Sequence, residues 1–170
     1  MNQTMDKIIG TLREKVELKV LFVCLGNICR SPAAEEILRH VVKENGDSWR
    51  WQIDSAGIGN WHAGQLPDHR MRVHARQRGL NLTHRARQVH TDDFFDFDMI
   101  VAMDAGNIAD LRRIAPSSEA CGKIVSMADF RTSPRFPDHV PDPYYEGSEG
   151  FELVLDMLRE CCTNLYKALS

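Results

Sequence analysis

The chain has 170 residues, which suits a single domain with one hydrophobic core. Hydrophobic residues make up 43% and charged residues 26%, as in an ordinary globular protein, and the formal net charge is -3. This balance argues against nucleic acid or an acidic membrane as partner, and no apolar run is long enough to span a bilayer. The apolar stretch 20–25 is too short for a secretion signal, so we expect a cytoplasmic protein with free thiols at its five cysteines.

The predicted elements alternate between strands and helices along the chain. Residues 1–17 form an extension that could hold a short frayed helix, and the sequence assigns it no role. Strands are predicted at 18–24, 51–54, 99–103 and 123–127, and helices at 31–44, 67–78, 104–114 and 148–169. Such alternation is typical of a parallel sheet with helices on both faces. The sequence therefore predicts one α/β domain over 18–170, built on a twisted, four-stranded parallel sheet.

The first loop of this domain, residues 24–30, has the features of a phosphate-binding loop. It joins a buried parallel strand to a helix start, and this edge of the sheet is where open α/β folds bind ligands. The free amides and the dipole of a helix N-terminus attract anions. Gly26 and Asn27 tolerate the left-handed backbone angles that a tight cradle needs, and Arg30 can grip two anionic oxygens at once.

Cys24 and Asp142 supply the two groups that phosphate ester hydrolysis requires. The helix start and Arg30 favour the thiolate of Cys24, and a thiolate facing a bound phosphate is a nucleophile aimed at phosphorus. Ser31 can cap the helix, and its hydroxyl could also donate a hydrogen bond to that sulfur. Expelling an alkoxide or phenoxide needs a proton donor. The best candidate is Asp142, held between two prolines, with Tyr144 beside it as an aromatic wall.

The pattern Cys-x5-Arg-Ser directly after the first strand, with Asp-Pro-Tyr far downstream, resembles the low-molecular-weight protein tyrosine phosphatases. The similarity extends from about residue 18 to residue 169 and includes DSAG at 54–57, NWH at 60–62, HRARQ at 84–88 and MD at 103–104. It implies a four-stranded parallel sheet and hydrolysis without a metal or another cofactor. The extension before residue 18 is a departure, since family members usually begin close to the first strand.

The resemblance also implies roles for individual residues. Cys24 would be the nucleophile, Arg30 the phosphate clamp and Asp142 the general acid. If a test excluded Asp142 as the acid, Asp104 and Asp138 would be the next candidates, although the resemblance does not point to them as acids. The residues that would bind phosphate or flank the substrate ring are Leu25, Gly26, Asn27, Ile28, Cys29, Ser31, Trp61 and Tyr144. The hydrogen-bond network that holds the loop in shape would comprise Asn27, Ser31, Ser55 and His84. In the family a neighbouring cysteine can trap the oxidised nucleophile, which here implies a Cys24–Cys29 disulfide.

The predicted function is hydrolysis of a phosphotyrosine protein or a small aryl phosphate through a phosphocysteine, with inorganic phosphate as product. An arsenate reductase on this fold would need resolving cysteines in a mobile central segment, and residues 73–120 contain none. A protein arginine phosphatase of the family tends to carry Thr where this chain has Ile28. A non-catalytic phosphate-binding module would have no reason to retain Cys24 together with Asp142. A zinc site is not expected, since no Cys-x2-Cys pair occurs.

Overall fold

The computed structural model describes residues 3–170, and this part of the chain folds around one four-stranded parallel sheet with strand order β2-β1-β3-β4. The strands are β1 (Leu18–Cys24), β2 (Trp51–Gly57), β3 (Met99–Ala102) and β4 (Ile124–Ser126). Strand β1 pairs in parallel with β2 and β3, and Cys24 lies opposite Gly57 in the register. The predicted α/β class and the four-stranded parallel sheet are confirmed.

The helices agree with the prediction in order, and several bounds differ. They are α1 (Gln3–Arg13), α2 (Arg30–Glu44), α3 (His69–Arg76), α4 (Asp93–Asp96), α5 (Ala105–Ile114), α6 (Ser118–Cys121) and α7 (Ser148–Leu169). Helix α3 starts later than expected because the side chain of Asp68 accepts the amide of Arg70 as its cap. Helices α4 and α6 were not predicted, since four residues are too few to show a helical period.

The sheet is covered on both faces, as the alternation of elements predicted. Val20 and Phe22 of β1 point into a large cluster formed with α1, α2, α3 and α7. Leu21 and Val23 point to the opposite face, where they pack with residues of α4, α5 and α6. Strand β1 is thus buried on both sides, which explains its almost continuous apolar sequence.

Helix α7 buries every residue of the apolar stripe predicted for it: Phe151, Val154, Leu155, Leu158, Cys162, Leu165 and Leu169. The helix expected in the extension is present as α1, but it is docked rather than frayed. Met5, Ile9 and Leu12 lie in the same cluster as α7. None of the helices within residues 3–170 is long and apolar enough to cross a bilayer.

The side chain of Arg50 ties the end of α1 to the end of α7. Its guanidinium donates hydrogen bonds to the carbonyl oxygens of Arg13 and Lys15 at 2.9 and 3.1 Å. A third bond of 2.9 Å goes to the carbonyl oxygen of Leu169 in the last turn of α7. Carbonyl groups at helix ends lack partners within the helix, so one arginine satisfies groups of both elements.

Candidate active site

A pocket at the carboxyl end of β1 brings together residues from three separate parts of the sequence. It is lined by Cys24, Leu25, Gly26, Ile28, Cys29, Arg30, Trp61, His62, Asp142, Tyr144 and Tyr145. The phosphate-binding loop forms the floor, and the segments after β2 and before α7 form the walls. Of the other predicted residues, Asn27 belongs to the loop itself, and Ser31, Ser55 and His84 lie behind it. His62 and Tyr145 were not predicted as site residues, although His62 ends the NWH stretch at 60–62 and Tyr145 directly follows Tyr144.

The phosphate-binding loop takes its sharp turn at Asn27, whose φ of 58° lies in the left-handed region. Gly26 tolerates such an angle too but does not adopt one, since it is absent from the described residues with positive φ. Gly57 at the end of β2 has a different function. A Cβ atom there would lie 3.0 Å from backbone atoms of both Gly26 and Asn27, so a side chain would push the loop away from the sheet.

Asn27 is the anchor of the loop, and its side chain is fully engaged. Its amide nitrogen donates to the hydroxyl oxygens of Ser31 at 2.7 Å and Ser55 at 3.0 Å. Its amide oxygen accepts the backbone N–H of Arg87 at 3.0 Å and lies 2.9 Å from Nε2 of His84. Because that oxygen is an acceptor, Nε2 of His84 carries a proton. The structure thus brings together the four residues expected to form a network.

Two carboxylates to which the sequence analysis gave no role, those of Glu35 and Asp54, lie on the other side of His84. Its Nδ1 atom is 3.2 Å from Oε1 of Glu35 and 3.4 Å from Oδ1 of Asp54. Glu35 is buried and accepts the hydroxyl of Ser55 at 2.7 Å; burial raises the pKa of its carboxyl, although His84 and Arg39 partly offset that rise. A signal was available, since Glu35 is a charged residue on the buried face of α2.

These three side chains offer ligand atoms within 4.8 Å of one another, the spacing of a metal site. Each group already has a protein partner: Asn27 for His84, Ser55 for Glu35 and Arg87 for Asp54. A hydrogen-bonded support for the loop therefore accounts for the cluster.

The thiol of Cys24 lies at the bottom of the pocket, 3.0 Å from the hydroxyl oxygen of Ser31. The hydroxyl oxygen of Ser31 accepts a hydrogen bond from the side-chain amide of Asn27, and the carbonyl oxygen of Ala56, another acceptor for the hydroxyl proton, is 3.4 Å away. The hydroxyl proton is therefore best placed to point at the sulfur. The expectation that Ser31 caps α2 is wrong, because the helix starts at Arg30 and has no side-chain cap.

The guanidinium of Arg30 is buried beside Cys24. Its Nη1 donates to Oδ2 of Asp104 at 2.6 Å and to the carbonyl oxygen of Val140 at 3.1 Å, while Nη2 is 3.6 Å from Oδ2 of Asp142. Burial alone would lower the pKa of Arg30, but the negative groups of Cys24, Asp104 and Asp142 raise it above its ordinary value. Arg30 therefore stays charged, and one edge of its guanidinium faces the pocket.

Neither Asp104 nor Asp138, the alternative candidates for the general acid, is well placed for that role. Burial by itself would raise the pKa of Asp104, but its hydrogen bond from Arg30 and its capping bonds at α5 lower it. Asp104 is thus an ionised partner of the arginine. Asp138 is exposed, pairs with His139 at 3.0 Å and does not line the pocket. Asp142 does line it, with one oxygen accepting the backbone N–H of Tyr144 at 3.1 Å.

The second cysteine of the loop differs from the first. Cys29 is buried, and burial, followed by the nearby charges of Asp68 and Cys24, raises the pKa of its thiol far above the ordinary value. Cys29 therefore remains a neutral thiol and does not compete as nucleophile. Both cysteines are free, and the disulfide between them stays a prediction.

The rim of the pocket is aromatic. Trp61 is 65% exposed and Tyr144 37%, while Ile28 is partly buried between loop and rim. Trp61 lies flat against Gly59, where a Cβ atom would collide with the indole ring. The two rings and the isoleucine leave an apolar entrance above a charged floor, which is suited to an aromatic ester of phosphate.

Comparisons with known proteins agree with this geometry. A family model described as low molecular weight phosphotyrosine protein phosphatase matches residues 19–170. The protein of that description from Sus scrofa is 40% identical over 152 residues, which are 89% of this chain and 95% of the pig protein. The match begins within β1, so α1 precedes it.

Solved structures give the same result. A protein tyrosine phosphatase from Entamoeba histolytica, crystallised with Hepes in its active site, has a TM-score of 0.86 and 42% identity, covering 90% of this chain and 97% of that one. A Drosophila arginine phosphatase has a TM-score of 0.81 and 35% identity, covering 88% and 96%. The chain therefore belongs to the low molecular weight phosphotyrosine protein phosphatase family, a family of phosphoric monoester hydrolases.

Proposed function

We propose that this enzyme hydrolyses phosphotyrosine, in a protein or as a small aryl phosphate, through a phosphocysteine formed on Cys24. One observation carries the proposal. The thiol of Cys24 and the carboxyl of Asp142 line the same pocket, with the buried guanidinium of Arg30 reaching both. A tetrahedral phosphate bound by Arg30 and the loop amides would have a nucleophile on one side and a proton donor on the other.

In the first step the Cys24 thiolate attacks phosphorus, the P–S bond forms and the bond to the phenol oxygen breaks. Protonated Asp142 gives its proton to that oxygen, so phenol rather than phenolate leaves. Arg30 compensates the charge on the equatorial oxygens in the transition state, and the Asp104 contact keeps its fork in the required plane.

In the second step water attacks the phosphocysteine, and the Asp142 carboxylate takes its proton. The P–S bond breaks, inorganic phosphate is released and the Cys24 thiolate returns. A thiolate that accepts a hydrogen bond is a better leaving group, and the Ser31 hydroxyl at 3.0 Å can provide this bond. Asp142 thus gives a proton to the phenol in the first step and regains one from water in the second, which returns it to the protonated form.

The entrance favours an aryl ester over a phosphoguanidine. Ile28 lines the pocket without a polar group that could bind a guanidinium, whereas Trp61 and Tyr144 offer apolar faces to a phenyl ring. Phosphoarginine is the second candidate substrate, because of the similarity to the Drosophila arginine phosphatase. We propose the cytoplasm as location, since a nucleophilic thiol must stay reduced and all five cysteines carry free thiols.

The proposal is tested by the dependence of rate on the leaving group. With Asp142 intact, kcat/KM should vary little across aryl phosphates, because the phenol leaves protonated. In Asp142→Ala the phenolate must leave unaided, so phenyl phosphate and phosphotyrosine should lose about 10²–10⁴-fold and nitrophenyl phosphate much less. Asp142→Asn keeps the shape, removes the proton and should behave alike. An equal loss across the series would exclude Asp142 as the acid.

Cys24→Ser is the companion experiment. It should still bind inorganic phosphate and lose turnover, because a serine hydroxyl is not ionised there. Assays with phosphotyrosine, phosphoarginine and arsenate, each with and without reductant, separate the candidate activities. Retained activity in Cys24→Ser, or turnover of phosphoarginine above that of phosphotyrosine, would contradict the proposal.

A further inference from the structure

The acid loop (residues 140–147) is contacted by an arginine from a different element. Arg70, in the first turn of α3, has its guanidinium carbon 5.3 Å from the centre of the Tyr144 ring and 4.9 Å from that of Phe151. Both distances lie within the range of about 6 Å over which an aromatic face attracts a cation. One side chain therefore touches the acid loop and the first turn of α7 that follows it.

The orientation of Arg70 is fixed relative to the floor of the pocket. Asp68 accepts Nε and Nη2 of Arg70 at 3.1 and 3.0 Å, an arrangement that uses both carboxylate oxygens. The backbone N–H of Asp68 donates in turn to the carbonyl oxygen of Ile28 in the phosphate-binding loop at 2.8 Å. The cation above Tyr144 is thus linked through Asp68 to the loop that would hold the phosphate.

The position of Tyr144 bears directly on the proposed acid. Its backbone N–H donates to Oδ1 of Asp142 at 3.1 Å. The other oxygen of Asp142 lies 3.6 Å from Arg30, too far for a hydrogen bond, and the side chain is 42% exposed. Few contacts hold this carboxyl, so a restraint on Tyr144 is also a restraint on Asp142.

We propose that Arg70 is a positioning residue for the proton-transfer step: it holds Tyr144, and with it the carboxyl of Asp142, above the phosphate-binding loop. The inference rests on the proposed role of Asp142 as general acid. Arg70 itself touches none of the reacting atoms. If Arg70 served only as a half-exposed ion-pair partner of Asp68, removing its guanidinium would change kcat/KM little and by the same factor for all substrates.

The test variant is Arg70→Met, which keeps an unbranched side chain and removes the guanidinium. We expect kcat/KM to fall about three- to tenfold more for phenyl phosphate than for nitrophenyl phosphate, because only the poorer leaving group needs a placed proton. The inhibition constant of inorganic phosphate should stay within about twofold, because its ligands are untouched. Arg70→Lys, which keeps a charge without the fork, should fall between Arg70→Met and the wild type.

Arg76→Met is the matched control, since Arg76 is an exposed residue of the same helix and should give wild-type values for both substrates. The double variant Arg70→Met with Asp142→Ala should show the same substrate ratio as Asp142→Ala alone, because the positioning acts only through Asp142. An equal loss on both substrates, or a further change of ratio in the double variant, would overturn the proposal. Failure of the acid assignment would be visible separately, as an unselective loss in Asp142→Ala, and the proposal would fall with it.

Discussion

Asn27 provides the sharpest test of what gives the phosphate-binding loop its shape. Its buried side chain makes four polar contacts of 2.7 to 3.0 Å, and its backbone has a φ of 58°. Asn27→Ala removes the contacts and leaves a Cβ atom in the left-handed region. Asn27→Gly removes the same contacts and relieves the backbone, so the two variants together separate side-chain anchoring from backbone strain.

The expected magnitudes follow from these contacts. Hydrogen bonds contribute about 0.5–1.5 kcal/mol each, so losing four should lower the free energy of unfolding by about 2–6 kcal/mol in Asn27→Gly. Asn27→Ala should lose about 1 kcal/mol more, because alanine is disfavoured at this backbone angle. The activity of both should fall sharply, since His84, Ser31 and Ser55 lose their common partner.

Urea unfolding, together with kcat/KM for nitrophenyl phosphate, measures both effects. Equal stability of Asn27→Gly and Asn27→Ala would show that the backbone angle carries no strain. A loss below about 1 kcal/mol in both would refute the view that the amide anchors the loop.

Three further changes probe other parts of the structure. Leu12→Ala should lower the free energy of unfolding by about 2–4 kcal/mol with kcat unchanged, because α1 packs in the core and does not line the pocket; unchanged stability would contradict that packing. Asp104→Asn should lower the free energy of unfolding by about 1–3 kcal/mol at neutral pH and by less in acid. The fold lowers the pKa of Asp104, so the stabilisation by its carboxylate is lost as the pH falls through that lowered value. An equal loss at both pH values would contradict the role of Asp104 as an ionised partner of Arg30. Gly59→Ala should displace Trp61 and raise KM for aryl phosphates while the inhibition constant of inorganic phosphate stays unchanged. A rise in both constants would indicate instead that the phosphate-binding loop is distorted.

Several features of the site could be predicted from the sequence because they depend on local order. The loop follows a buried strand and precedes a helix, and the carboxyl edge of a parallel sheet is where such a loop must lie. Cys24 and Arg30 are six positions apart within it, so their proximity follows from chain connectivity. The left-handed angle of Asn27 was predictable from residue type, since asparagine tolerates it.

Ser31 shows how far local reasoning reaches. By sequence it is a helix cap, the role that serine usually has before a helical run. In the fold it is not the cap, because α2 begins at Arg30, but its hydroxyl does lie between Cys24 and Asn27, the two partners that the sequence analysis also gave it. What residue type did not settle is the residue at which the helix begins, since helix ends depend on their surroundings and vary by one or two residues.

Sequence alone was sufficient to predict the α/β fold, the phosphate-binding loop with Cys24 and Arg30, and Asp142 as candidate acid, because strand, turn and helix signals act over a few residues. The contacts of Glu35 and Arg70 with the site became visible only once the elements were packed in three dimensions. Glu35 supports His84, and Arg70 lies over Tyr144, across 49 and 74 positions of sequence. Such pairs depend on how separate elements pack, and single side chains carry no local signal of their distant partners.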